Sequence, residues 1–228
     1  RGLFDRTAGD YDRMEAILSG GSGAWYRGQA LGRAGLAGGM QVLDVASGTG
    51  LVAAAALARV GASGGVVAVD PSLGMLAAGQ DIGGLARVGA YAERLPFPAA
   101  RFDFVSMGFA LRHVADLGAA FAEFRRVLRP GGRLCVLEIT RPRGRIARAA
   151  LAAYMGGVVP VLARLFGRHA DTALLMRYYW DTIDACVPAE TVLAALDAAG
   201  FARVERHVEL GIFSEYRAES PAAAPAQA

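Results

Sequence analysis

Lysine and asparagine are missing from this chain: all 24 of its Lys+Arg residues are arginine. Together with 30 glycines and abundant alanine, that bias reads as the mark of a GC-rich genome rather than of a nucleic-acid surface. The arginines are scattered among acids, no aromatic-basic platform interleaves them, and the formal charge is only +3, so nucleic-acid binding is excluded as the function. Cysteine is scarce too: Cys135 and Cys186 have no metal-ligand spacing, and Cys135 lies in an apolar run that reads as a buried thiol. No metal site is expected. Charged residues make up only 20% against 54% hydrophobic, which excludes a disordered chain. The one run near membrane-span length, residues 146–166, is interrupted by Arg148, Pro160 and Arg164, so a transmembrane helix is excluded. No signal peptide or internal repeat is visible, and an opening at Arg1 rather than Met implies residues further upstream.

What remains is enough for one large α/β unit: 228 residues can bury a sizeable core. Residues 4–18 read as a helical lead segment, with Phe4, Tyr11, Met14 and Leu18 at helical spacing. It either packs on the main body or covers a ligand, with Tyr11 as its contact. A Gly/Ser connector and a second helix over residues 24–36 follow, giving an N-terminal helical lid over 1–39. The spacing predicts a core over 40–140. Its strands fall at 41–45, 66–69, 87–90, 102–107 and 133–139, with helices at 49–60, from Pro71, and at 117–128. Continuously apolar strands alternating with helices imply a mostly parallel sheet covered on both faces. After Thr140 the rhythm breaks: residues 141–188 read as a helical cap, with Gly156-Gly157 and Pro160 as breakers, apolar enough to close over a greasy pocket. A helix at 189–199 and strands at 203–210 and 212–217 complete the core over 189–218, before a Pro/Ala-rich tail over 219–228 expected to be disordered. The fold class is therefore a doubly wound, seven-stranded, Rossmann-like α/β sheet.

The stretch that organises this pattern is Val42-Leu43-Asp44-Val45-Ala46-Ser47-Gly48-Thr49-Gly50. An apolar strand ends in a small-residue turn, and a helix begins at once. Main-chain N–H groups and a helix N-terminus can then approach a ligand closely. Asp70 ends the next strand, where an acid can accept both hydroxyls of an adenosine ribose, its alternative being a helix N-cap. NAD and S-adenosylmethionine both suit these two features. The second is favoured by Ala92-Glu93-Arg94-Leu95-Pro96-Phe97, Arg101-Phe102-Asp103-Phe104-Val105 and Arg126-Val127-Leu128-Arg129-Pro130-Gly131-Gly132, which have no counterpart in a nicotinamide fold.

On these blocks the chain resembles the ubiquinone/menaquinone-biosynthesis C-methyltransferases, class I enzymes dependent on S-adenosylmethionine. The likeness runs from Phe4-Asp5-x-x-Ala8-x-x-Tyr11-Asp12 to about Phe201, and its most specific part is Gly108-Phe109-Ala110-Leu111-Arg112-His113-Val114. The resemblance implies a cofactor site of Tyr11, Ala46, Ser47, Gly48, Thr49, Gly50, Asp70, Met75, Tyr91, Ala92, Met107 and Gly108. In it Thr49 meets the amino-acid group, Asp70 the ribose, and Met75 with Tyr91-Ala92 the adenine. It departs from the family at Tyr91, where Asn or Asp is usual, at Arg112-His113, where Arg-Asn is usual, and over Gly211-Ile212-Phe213-Ser214-Glu215-Tyr216. For ring methylation, Arg112 is the candidate to orient a phenolate, with an ion pair as its alternative. His113 is the candidate base, with a structural histidine as its alternative. Tyr154, Tyr178, Tyr179 and Asp181 in the cap are candidates for the acceptor, while His169 and His207 read as surface residues.

The expected function is methyl transfer from S-adenosylmethionine to a lipophilic aromatic acceptor such as a prenylated quinol, in a cytoplasmic protein. Contact with a membrane surface and homodimerisation are left open. The competing readings are a secondary-metabolite O-, N- or C-methyltransferase, a non-catalytic cofactor-binding sensor, and a nicotinamide oxidoreductase.

Overall fold

A computed structural model describes residues 12, 15–16, 21–79, 82–140, 142, 144–161 and 186–222. Helix α1, Gly23–Arg33, leads into strand β1, Gln41–Val45, four of whose five residues are buried. Then come α2 Leu51–Val60, β2 Gly65–Asp70, α3 Leu73–Ala78, β3 Leu85–Gly89 and β4 Phe102–Gly108. A 3-10 turn at Leu111–His113 precedes α4 Leu117–Val127 and β5 Leu128–Ile139. After α5 Arg145–Ala153, the described chain resumes with α6 Ala189–Ala198, β6 Ala202–Glu209 and β7 Phe213–Glu219.

The strands form one seven-stranded sheet in the order β3-β2-β1-β4-β5-β7-β6. The first five pair in parallel, and β7 runs antiparallel between β5 and β6. The continuously apolar strands have both faces covered, as such strands require. On one face α4 and α6 contribute Phe121, Phe124, Val192 and Leu196 to the larger apolar cluster. On the other, α1 and α2 contribute Tyr26, Leu31, Ala53 and Ala56. The decisive feature for function is that β1 pairs with both β2 and β4. Strand order reverses there, so a crevice opens at the carboxyl ends of β1 and β4.

Local structure departs from the sequence pattern at three places. Pro130-Gly131-Gly132 does not end the pairing: β5 starts at Leu128, and the register against β4 shifts between Phe102 and Phe104. Gly131, at φ 76°, absorbs the extra residues, and its N–H donates to Ser220 O at 2.9 Å. Pro71 is not the first helical residue. Ser72 caps α3 instead, its side chain accepting from Met75 N. In the cap, neither Gly156-Gly157 nor Pro160 breaks the helix. A π turn over Tyr154–Val158 widens the coil, with Val159 N donating to Tyr154 O, and the chain stays helical to Val161. Pro160 has no N–H to place in a regular ladder, and the wider turn accommodates it. None of the α5 residues is buried, and Ile146 is 87% exposed.

Candidate active site

The turn after β1 is shaped by positive φ at Ala46 (52°), Gly48 (59°) and Gly50 (94°). Two of these are glycines, where that conformation costs little; at Ala46 it is a strained position of the kind found at ligand-binding turns. Ser47 N donates to Val69 O at 2.9 Å, which ties the turn to β2. Asp70 closes the other side: its Oδ2 accepts from Gly48 N and its Oδ1 from Ser72 N, each at 2.8 Å. Asp70 therefore does not cap α3. Its carboxylate joins the turn to the start of that helix. The opposite rim follows β4, where Phe109 takes φ 58° and donates its N–H to Leu137 O at 2.7 Å.

Between these rims lies a cleft of about 350 Å³. The structure brings ten of the sequence-predicted residues to it: Ala46, Ser47, Gly48, Thr49, Asp70, Met75, Tyr91, Ala92, Gly108 and His113. A Cβ built on Gly48 would come within 3.2 Å of Met75 Cε, and one on Gly108 would run into Val52 Cγ2. Both glycines therefore keep the cleft open. The volume is at the lower end of small-molecule sites and suits an adenosyl ligand with main-chain donors at one end and an acid placed for ribose hydroxyls.

Other expected residues fall elsewhere. Gly50 is the residue that turns the chain into α2 and does not line the cleft. Met107 is fully buried in the larger core cluster, because β4 side chains alternate between the faces and its own points inward. Tyr154 is 37% exposed on the π turn and is not part of the cleft wall. Tyr11, Tyr178, Tyr179, Asp181 and His169 lie outside the described residues. Arg112 takes the alternative weighed for it: its Nη1 pairs with Glu138 Oε1 at 2.6 Å, both side chains being 3% exposed. Burial pushes the Glu138 carboxyl upward against the pull of Arg112. His113 reaches the cleft with one edge of the residue exposed to solvent, and desolvation of the rest of its ring, reinforced by the neighbouring Arg112 charge, pulls its pKa down to about 4. His207 is on the surface as expected, 3.4 Å from Glu209, and Cys135 is a buried thiol.

Two functional groups escaped the sequence reading. Asp44, inside the organising stretch, is fully buried, with Oδ1 accepting from Ser106 Oγ and Oδ2 from Ser47 Oγ, both at 2.6 Å. Burial raises its pKa to about 6 despite those two donors. Arg27 of α1 lines the cleft with a side chain 5% exposed, paired with Glu15 at 2.7 Å. Nothing in helical spacing separates such an arginine from a surface one.

Comparison with known proteins agrees with this geometry. Residues 1–218 match the model of the ubiE/COQ5 methyltransferase family. A protein of Saccharophagus degradans named ubiquinone/menaquinone biosynthesis C-methyltransferase UbiE is 34% identical over 213 residues, 90% of this chain and 84% of its own length. A protein of the same name from Pseudomonas putida is 35% identical over 227 residues, covering 96% and 88%. Among solved structures, an S-adenosylmethionine-dependent methyltransferase from Thermotoga maritima superposes with a TM-score of 0.68 at 19% identity, covering 96% of this chain and 98% of its own. One from Aquifex aeolicus gives 0.61 at 20% identity, over 85% and 88%. These structural likenesses establish the sheet and its crossovers. The sequence match over nearly the whole chain establishes the rest: this protein belongs to the ubiE/COQ5 methyltransferase family, and is an enzyme that uses S-adenosylmethionine.

Proposed function

We propose that the enzyme methylates a ring carbon of a lipophilic aromatic acceptor, a demethylmenaquinol or related prenylated quinol. The observation that carries this reading is the match of 34% and 35% identity, over most of both chains, to proteins named for ubiquinone and menaquinone C-methylation. The composition of the cleft supports it. Beside His113 the rim after β4 is apolar, lined by Phe109, Ala110, Val114 and Ala115.

When bound, S-adenosylmethionine supplies an electrophilic methyl group on a sulfonium. The chain's task is then to hold the acceptor carbon in line, about 3 Å from that methyl, and to favour the phenolate that makes the carbon nucleophilic. The turn from Ala46 to Thr49 would cradle the methionine end, Asp70 would accept the ribose hydroxyls, and Met75 with Tyr91 and Ala92 would border the adenine. His113 stays neutral at pH 7 with its pKa near 4. A base that weak accepts a hydrogen bond better than it takes a phenol's proton, so it orients the acceptor hydroxyl. Arg112 contributes a fixed positive charge behind it, held by Glu138.

A prenylated acceptor dissolves in membranes, and the segment after β5 suits that supply. Residues 139–161 carry four arginines and no acid. Ile146 is 87% exposed, Val158 47% and Val161 52%, a composition that fits contact with an anionic lipid surface. Among the described residues no helix is long and apolar enough to cross a membrane.

Incubation with S-adenosylmethionine and demethylmenaquinol, read by mass spectrometry, should yield a ring-methylated quinol and S-adenosylhomocysteine. No turnover of the quinol, with a polar acceptor methylated instead, would overturn the substrate reading while leaving the family assignment intact.

A further inference from the structure

The cofactor ends in an amino acid, whose α-ammonium and α-carboxylate form a compact zwitterion. A site for it needs one anion and one cation placed side by side. The described residues hold such a pair beside the organising turn: Asp12, bonded to Thr49, and Arg27, which lines the cleft with that threonine. Thr49, in the organising turn, donates its hydroxyl to Asp12 Oδ1 at 2.5 Å. Arg27 lines the same cleft, and its charge is near enough to act on the Asp12 carboxyl, whose pKa burial raises while the Thr49 hydrogen bond and Arg27 oppose that rise. Neither residue belongs to the sheet or its crossover helices: Asp12 comes from the lead segment and Arg27 from α1.

We infer that Arg27 receives the carboxylate, and Asp12 the ammonium, of the cofactor's amino-acid end. Glu15 occupies one edge of the guanidinium, at 2.7 Å from Nη2. A guanidinium carries five N–H donors, so the other edge can hold a second carboxylate. Thr49 occupies one oxygen of Asp12 and fixes its orientation; the other oxygen can accept from an ammonium. Glu15 and Thr49 are thus positioning residues, while Arg27 and Asp12 touch the ligand. The consequence is mechanical. The core supplies the adenosine half of the site and Asp12 with Arg27 supply the zwitterion half, so the ligand bridges the two. This rests on the family's cofactor and not on the quinol reading of the acceptor.

The test compares two probes on the same variants by calorimetry. S-Adenosylhomocysteine carries the amino-acid end, and 5′-methylthioadenosine lacks it. Arg27→Met should weaken S-adenosylhomocysteine binding about 10- to 100-fold, the range for one charge-assisted interaction, and change methylthioadenosine binding by less than about twofold. Asp12→Asn should act in the same direction by about tenfold, and Arg27→Lys should restore part of the loss. Equal losses for both probes would make Arg27 a structural residue only and overturn the inference. So would an Arg27→Met variant that binds S-adenosylhomocysteine as the parent does. Because both probes are read on one protein sample, partial unfolding cancels in their ratio.

Discussion

Asp44 gives the sharpest test of the physical reading, because its cost depends on pH in a way its neighbours' does not. The carboxyl is fully buried, and its pKa rises from 3.8 to about 6, with burial the largest cause and the Asp70 charge adding to it. The two serine hydroxyls and the Ala53 N–H act the other way but do not balance it. A carboxyl whose folded pKa is raised favours the folded state only while protonated. That stabilisation is complete below pH 3.8 and is lost as pH rises through about 6. At pH 8 the ionised form therefore costs the folded state on the order of 3 kcal/mol relative to an unshifted carboxyl. Asp44→Asn removes the titration and can keep both serine bonds, with the amide oxygen accepting from one hydroxyl and the amide N–H₂ donating to the other.

The stability difference between Asp44→Asn and the parent should thus favour the variant more at pH 8 than at pH 5. By the linkage relation the change is about 1.5 kcal/mol, or roughly 3 to 6 °C in Tm for a chain of this size. Differential scanning calorimetry of both proteins at the two pH values measures it, and any pH-independent loss from an imperfect amide fit drops out of the comparison. A difference that does not vary with pH, or that grows toward pH 5, would refute the claim that burial dominates at Asp44.

Two further outcomes follow from the cleft. Gly79 lies outside it, yet a Cβ there would run into the carbonyl of Thr49, with the Thr49 carbonyl carbon only 3.1 Å away; Gly79→Ala should cost about 1 to 3 kcal/mol and weaken S-adenosylhomocysteine binding, and unchanged melting and affinity would refute it. If His113 accepts the acceptor's hydrogen bond only while neutral, the acid limb of kcat/KM that depends on it should fall near pH 4 rather than near 6.5; loss of an imidazole break near 6.5 in His113→Gln would show the opposite.

The middle of the sheet was legible because β1, β2, β4 and the second half of β5 are covered on both faces and read as nearly unbroken apolar runs. The site's floor was legible because a small-residue turn and Asp70 stand at the ends of adjacent parallel strands, where register alone brings them together. Asp70 Oδ2 meets Gly48 N across a gap of 22 positions for that reason. Arg112 was harder. Its spacing after β4 placed it near the cleft, but Glu138 lies at the end of β5, and nothing in either segment announces that the two strands' ends would pair these charges. Met107 failed for a simpler cause: one step along a strand reverses the face, so Gly108 borders the cleft while Met107 fills the core.

Asp44 shows what such long-range pairing does for function. It stands in the middle strand of the parallel set, and its two oxygens reach a serine three positions on and another 62 positions on. Ser47 belongs to the turn after β1, and Ser106 sits in β4 just before the opposite rim. One buried carboxylate therefore sets the spacing of both walls of the cleft. A leucine at that position would suit the apolar run better and would avoid the ionisation cost, yet it would leave the two hydroxyls without that common acceptor and the walls without that tie. The stability given up at Asp44 is the physical counterpart of a cleft whose two rims hold a fixed separation. Loosening them by Ser106→Ala should therefore weaken cofactor binding even though Ser106 is fully buried and not part of the cleft wall.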